Sequence, residues 1–204
     1  MEYLFNVIRF LLVTFLIIEI VDIKLMGFLH IRMKNQKFPS KYIIKQPNYT
    51  EIQGECECAG FSSAYIYRHF GYEAKGFDLY DAIPAKYKLS AGTVYPKGVR
   101  YCLTKKGIKA QYCKGSINAL KSEVSKGAPV IVMIKVREDK NWLHYIPVVG
   151  YDEEYIYLAE SYEPLINCQE EYYNRKIEID KFKKLWNTKE LKMPLYSNTF
   201  YRIM

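Results

Sequence analysis

Cys58, His144 and Glu160 run in the order nucleophile, base, carboxylate through a chain that holds only three histidines and five cysteines. A thiol beside an imidazole attacks acyl carbons, and a carboxylate behind the ring fixes its tautomer and stabilises the imidazolium that forms. The residues around the histidine, Asn141-Trp142-Leu143-His144-Tyr145-Ile146-Pro147-Val148-Val149-Gly150, and those before the acid, Tyr155-Ile156-Tyr157-Leu158-Ala159-Glu160, are rich in aromatic and β-branched types and bracket a turn. That pattern predicts a β-hairpin. A hairpin symmetric about Asp152 sets His144 directly opposite Glu160, on one face with Cβ atoms roughly 5 Å apart. A one-residue slip sends the two side chains to opposite faces. Pro147 lacks an N–H, so its strand must be an edge there, carry a bulge or turn that position away from a ladder partner. Trp142 shares the histidine's face and either shields the imidazole from water or packs as plain core. For the pair itself the plain alternative is a half-buried histidine satisfied by a nearby acid.

The thiol lies in Gln53-Gly54-Glu55-Cys56-Glu57-Cys58-Ala59-Gly60-Phe61-Ser62-Ser63-Ala64-Tyr65. Phe61, Ala64, Tyr65 and the stem of Arg68 recur at helical spacing, and Gly71 stops the pattern, so Cys58 opens a buried helix. Unpaired amides and the dipole at a helix start favour a thiolate, and a neighbouring imidazole favours it further. A small apolar residue at a helix start is the competing reading of the same cysteine.

Four spaced motifs resemble the C39-like cysteine peptidases of the papain-like superfamily. They are Gln53 to Cys58 before an apolar helix, Lys126 to Val132, His144 to Asp152, and Tyr155 to Glu160, and the resemblance extends over residues 48–190. It implies an α+β, papain-like fold in which an N-terminal helix carrying the nucleophile packs on an antiparallel sheet. It also implies roles: Cys58 as nucleophile, His144 as general base, Gln53 as donor to the oxyanion together with the cysteine's backbone N–H, and Glu160 as the third, orienting residue. The chain departs from the family where it reads Glu160-Ser161 in place of the more common Asp-Pro, and Ala59-Gly60 in place of Gly-Pro after the cysteine. Cys56 is a rival thiol; Cys58 is preferred because Cys56 falls outside the helix and crowds Gln53. The implied activity is hydrolysis of a peptide bond through a thioester. The same triad with an amine acceptor gives an acyltransferase or transglutaminase-like enzyme, and the fold without turnover gives a peptide-binding module.

The remaining elements serve as support and substrate surface. Residues 72–100 mix Gly, Pro, Asp and Tyr and read as loops with one or two short helices. Val99 to Lys105 reads as helix, Ile108 to Tyr112 as a short strand, Ile117 to Lys126 as an amphipathic helix stopped by Gly127, and Pro129 to Val136 as an apolar strand. Arg175 to Ile179 alternates like a strand, and Asp180 is placed to cap a helix carrying Phe182, Leu185 and Trp186. Residues 48–204 are thus expected to form one peptidase domain.

Residues 1–30 differ. Phe10 to Ile18 is uninterruptedly apolar apart from Thr14, with Arg9 before it and Glu19, Asp22 and Lys24 after it. The expectation is an uncleaved N-terminal membrane anchor, or a signal-like helix, followed by a basic linker over 31–47; a helix packed on the domain is the alternative. The linker's Arg32, Lys34, Lys37, Lys41 and Lys45 argue for a cytoplasmic domain, while the analogy with exported hydrolases argues for the other side. The formal charge of +8 comes from dispersed basic residues without a nucleic-acid motif, so no nucleic-acid partner is expected. The expected partner is a peptide or protein substrate, with residues 4–28 as the candidate membrane contact. Neither a metal nor a cofactor is expected: the C-x-C pair has no second pair to complete a zinc site, and there is no phosphate-binding loop for an ATPase. An odd cysteine count leaves at least one thiol unpaired in a monomer.

Overall fold

The computed structural model describes residues 2–25, 29–30, 37–84, 86, 92–190, 193 and 195–204. In chain order the elements are α1 (Glu2–Leu25), β1 (Leu29–His30), β2 (Tyr42–Ile43), α2 (Cys58–His69), α3 (Gly76–Asp81), α4 (Pro96–Lys105), β3 (Ala110–Lys114), α5 (Ile117–Val124), β4 (Val130–Lys135), β5 (Leu143–Tyr151), β6 (Tyr155–Leu158), β7 (Arg175–Glu178), α6 (Ile179–Trp186) and β8 (Thr199–Ile203), with a 3-10 turn at Glu163–Leu165. The strands form one sheet in the order β1-β3-β8-β4-β5-β6-β7, and β2 pairs with β5 off that path. Every pairing is antiparallel except β1 with β3. This is the expected α+β arrangement.

The sheet is covered on both faces because β4 is apolar in both of its alternating rows. Ile131 and Met133 join a core with Ile66, Tyr67, Val99, Leu103, Tyr145 and Tyr201 beneath α2 and α4. Val130, Val132 and Ile134 join a second core with Leu120, Val124, Ile146, Phe182, Leu185 and Trp186 beneath α5 and α6. The helix expected to be capped by Asp180 starts earlier, at Ile179 with Glu178 as N-cap, and buries the three apolar residues assigned to it. The C-terminal strand β8, which the sequence reading passed over, fills the centre of the sheet between β3 and β4.

The hairpin forms with a different register. β5 pairs with β6 as Val148↔Leu158, then shifts to Gly150↔Tyr157 and Tyr151↔Ile156. The hairpin is thus centred between Glu153 and Glu154 and not on Asp152, and an irregularity between Val148 and Gly150 shifts the register by one residue. Pro147 sits next to that irregularity on an interior strand, opposite Ile131 of β4, and its carbonyl accepts the Ala159 N–H at 3.0 Å.

Along the segment expected as linker, residues 31–36 lie outside the described residues. Beyond them Pro39 accepts from the Tyr151 hydroxyl at 3.0 Å, β2 pairs with the end of β5, and Ile44 is buried. From there the chain runs beside α2, where Asn48 Nδ2 donates to Tyr65 O at 3.0 Å and Glu51 pairs with Arg68 at 2.7 Å. This route delivers Gln53 to the start of α2.

α1 exposes Leu4, Phe5, Ile8, Leu11, Leu12, Leu16 and Ile17. Among the described residues no helix is long and apolar enough to cross a membrane. The anchor expected over 1–30, the membrane association expected for 4–28 and the localisation built on them are not supported. Physically, Arg9, Glu19, Asp22 and Lys24 interrupt a span that needs roughly 20 mostly apolar residues.

α2 is buried from Cys58 through Tyr67, and one glycine makes that possible. A Cβ on Gly60 would lie 2.4 Å from the Gly76 carbonyl oxygen and 2.6 Å from the Tyr80 nitrogen, both backbone atoms of α3. Backbone cannot swing aside as a side-chain tip can, so Gly60→Ala must push α3 from α2, two residues after Cys58. We expect a loss of about 1–3 kcal/mol in urea unfolding. A variant as stable as the parent would show that the two helices are not packed this closely.

Candidate active site

Cys58 is the first residue of α2. The first backbone bonds of the helix run from Gly60 and Phe61 to the Glu57 carbonyl, so the Cys58 N–H is one of the helix-start donors that stand outside the helical ladder. One turn later Ser62 Oγ donates to the Tyr145 carbonyl at 2.9 Å. This buried bond ties the cysteine's helix to the strand residue next to His144.

His144 is 3% exposed and Glu160 fully buried. The imidazole Nε2 lies 2.7 Å from Glu160 Oε1, which leaves Nδ1 as the ring nitrogen available to the Cys58 thiol, a group near enough to act on the ring's titration. Burial disfavours a charged ring, but the Glu160 carboxylate and the bonds to Cys58 and Glu160 outweigh it and raise the imidazolium pKa. Burial likewise opposes the Glu160 charge; the His144 ring, Arg175 and the Tyr162 N–H outweigh it and hold the carboxyl below the usual range. By extrapolation of the observed ladder the two residues sit diagonally across the strands, past the end of β6, not directly opposed. The extra methylene of glutamate suits that longer reach.

Gln53, 8% exposed, is held at both ends. Its N–H donates to Ser161 O at 2.8 Å, and its Oε1 accepts from Ser161 Oγ at 2.6 Å. With the carboxamide oxygen engaged, the NH₂ group is the part left to donate into the cleft. Cys58, His144 and Gln53 line one cleft with Cys56, Thr93, Val94, Met133, Val136, Leu143 and Met193. Trp142 and Tyr162 line it too, with ring centroids 5.7 Å apart, and the Tyr162 ring stands 6.5 Å from that of His144. Trp142 is 45% exposed, so it is part of an aromatic wall beside the imidazole and not core.

The other thiols differ from Cys58 in setting. Burial pushes Cys102 and Cys113 each up to about 11. Burial, aided by Glu57 against a hydrogen bond to Tyr80, raises Cys56, and burial raises Cys168. Cys56 lies outside α2 as expected, with its sulfur 3.4 Å from the Tyr80 hydroxyl.

Four residues of the site were not singled out from sequence. Ser161 anchors Gln53, the Tyr162 N–H donates to Glu160 Oε1 at 2.7 Å, Asn174 holds the Glu160 backbone, and Arg175 Nη1 reaches Glu160 Oε2 at 2.7 Å. The readable signal for Arg175 was its place in an alternating strand: it shares the inward row with Ile177, where a cation needs a buried partner.

Several solved structures share this fold. A C39-like peptidase candidate from Bacillus anthracis is 18% identical, with a TM-score of 0.59 over 81% of this chain and 98% of its own. The peptidase domain of Streptococcus ComA, a bi-functional ABC transporter involved in quorum sensing, is 13% identical, with a TM-score of 0.56 over 76% of this chain and 97% of its own. The Carica candamarcensis cysteine protease CMS1MS2, solved with E-64, is 15% identical, with a TM-score of 0.55 over 82% and 99%. At such identities the likeness is one of fold, and it is to C39 and papain-like cysteine proteases alike. No curated protein matches the chain. Residues 30–190 match the Peptidase_C39 like family, to which this chain belongs.

Proposed function

We propose that this chain is a peptidase that cleaves a peptide bond with Cys58 as nucleophile, His144 as acid and base, Glu160 as the residue that orients the ring, and Gln53 as oxyanion donor. The observation that carries the reading is a buried imidazole held by a buried carboxylate at a cleft that the Cys58 thiol also lines. The thiolate attacks the carbonyl carbon, and the new oxyanion takes hydrogen bonds from the Gln53 NH₂ and the Cys58 N–H. The imidazolium gives its proton to the leaving amine, and a water deprotonated by the same ring then hydrolyses the thioester. The cleft lining is mostly apolar, with Glu55 its one acidic member and no lysine or arginine among the described residues, which suits an uncharged stretch of peptide.

The test is to incubate the full chain with a mixed peptide library and read the products by mass spectrometry. New amino termini with a gain of one water per cut support hydrolysis. Peptides joined to added amines with loss of ammonia or of a leaving peptide would replace this reading with acyl transfer, and unchanged peptides would leave a binding module. Within the hydrolase, Gln53→Ala is expected to lower kcat about 10²-fold with little change in KM. Ser161→Ala, which frees the carboxamide to rotate without removing it, is expected to lose about tenfold. Steady-state kinetics of the two variants would sink the oxyanion role if Gln53→Ala changed KM alone.

A further inference from the structure

Every polar atom of Glu160 has a partner. Its N–H donates to Asn174 Oδ1 at 2.6 Å and its carbonyl accepts from Asn174 Nδ2 at 2.8 Å, so one side chain brackets the backbone of the acid. Oε1 receives the His144 ring nitrogen and the Tyr162 N–H, each at 2.7 Å. Oε2 receives Arg175 Nη1, also at 2.7 Å. Among the described residues the charged or titratable groups facing the carboxylate are thus His144 from β5 and Arg175 from β7, and Cys58 from α2 acts on the ring.

The two cations differ in permanence. An imidazole loses its charge during each proton transfer, whereas a guanidinium does not. A buried carboxylate facing imidazole alone would have no opposite charge whenever the ring is neutral, a costly state in a buried site. Arg175, itself 5% exposed, removes that dependence.

We propose that Arg175 is a positioning residue: a permanent counter-ion that keeps Glu160 ionised and aimed at Nε2 whatever the state of His144. By sharing the carboxylate's charge it also limits how tightly the imidazolium is held, so that the ring can surrender its proton to the leaving amine. This rests on the triad reading above and adds a fourth member to it.

The test titrates His144 by NMR in a Cys58→Ala background, where no thiol couples to the ring; with three histidines in the chain, its signal is assigned by loss in His144→Gln. Arg175→Gln keeps a donor to Oε2 without the charge, and it is expected to raise the His144 pKa by about one pH unit. Arg175→Lys keeps the charge and is expected to stay near the parent. Arg175→Met serves if the Gln variant does not fold, with the same upward shift expected. A pKa that is unmoved or lowered in the uncharged variant, or raised equally by Lys, overturns the proposal and leaves Arg175 as a structural ion pair. The titration reads no turnover, so a chain that cleaves nothing still decides it, and failure of the peptidase reading shows separately as absent hydrolysis.

Discussion

Cys58→Ala is expected to abolish turnover to the level of the uncatalysed reaction, and Cys56→Ala to leave most of it. The contrast follows from where the two thiols stand. Cys58 begins α2, lines the cleft with His144 and acts on the titration of that ring. Cys56 lies two residues earlier with its sulfur against Tyr80 and Glu57, and its thiol is raised by burial and by that acid. Covalent labelling separates them without a substrate. An epoxide or iodoacetamide at neutral pH should modify Cys58 at least 10²-fold faster than the other four thiols, all of which are raised. His144→Ala should bring the Cys58 rate down to theirs, since the imidazolium partner is gone. Peptide mapping that finds Cys56 labelled first, or Cys58 labelled at an unchanged rate without His144, would move the nucleophile elsewhere.

The parts of this site that sequence exposed are those with a local signature. A helix starting at Cys58 follows from the spacing of Phe61, Ala64 and Tyr65, and α2 begins at that residue. The hairpin is legible from its aromatic and β-branched strands, but not its register, because Tyr151-Asp152-Glu153-Glu154 holds no glycine–asparagine pair to fix the turn's centre, while Pro147 marked only the possibility of the irregularity beside it. His144 and Glu160 still meet, Nε2 lying 2.7 Å from Oε1 across a diagonal of the strands. Arg175 was hidden for a different reason. A cation in an alternating strand is normally read as solvent-facing; its shared row with Ile177 hints at burial, and the location of Glu160 in space shows the partner. Ser161 was seen as a departure from the family's Asp-Pro, yet its hydroxyl is what fixes the Gln53 carboxamide. β8 lacks any motif and is placed by pairing with strands far away in sequence, an effect that local periodicity does not report.

Glu160→Gln should damage stability as much as it damages rate, because the carboxamide offers one acceptor oxygen to three donors. His144 Nε2, the Tyr162 N–H and Arg175 Nη1 all converge on the two carboxylate oxygens. If the amide oxygen faces Arg175, its NH₂ faces the ring and imposes the wrong tautomer; if it faces the ring, the NH₂ abuts a guanidinium with no counter-ion. Either way a buried charge loses its partner, a change that costs about 3–5 kcal/mol, or roughly 10 °C in melting temperature for a chain of this size. The pH dependence gives the assignment its sharper form. Glu160 has a lowered pKa, so its contribution is present above its unfolded value near 4.5 and lost as pH falls through the folded one. His144 has a raised pKa, so its contribution is present below about 6.5 and lost as pH rises through the folded value. The melting-temperature gap between parent and Glu160→Gln is therefore expected to be widest between about pH 4.5 and 6.5 and to narrow on both sides. Differential scanning calorimetry across pH 3–10 that returned a constant gap would mean that Glu160 acts by packing, with neither His144 nor Arg175 depending on its charge.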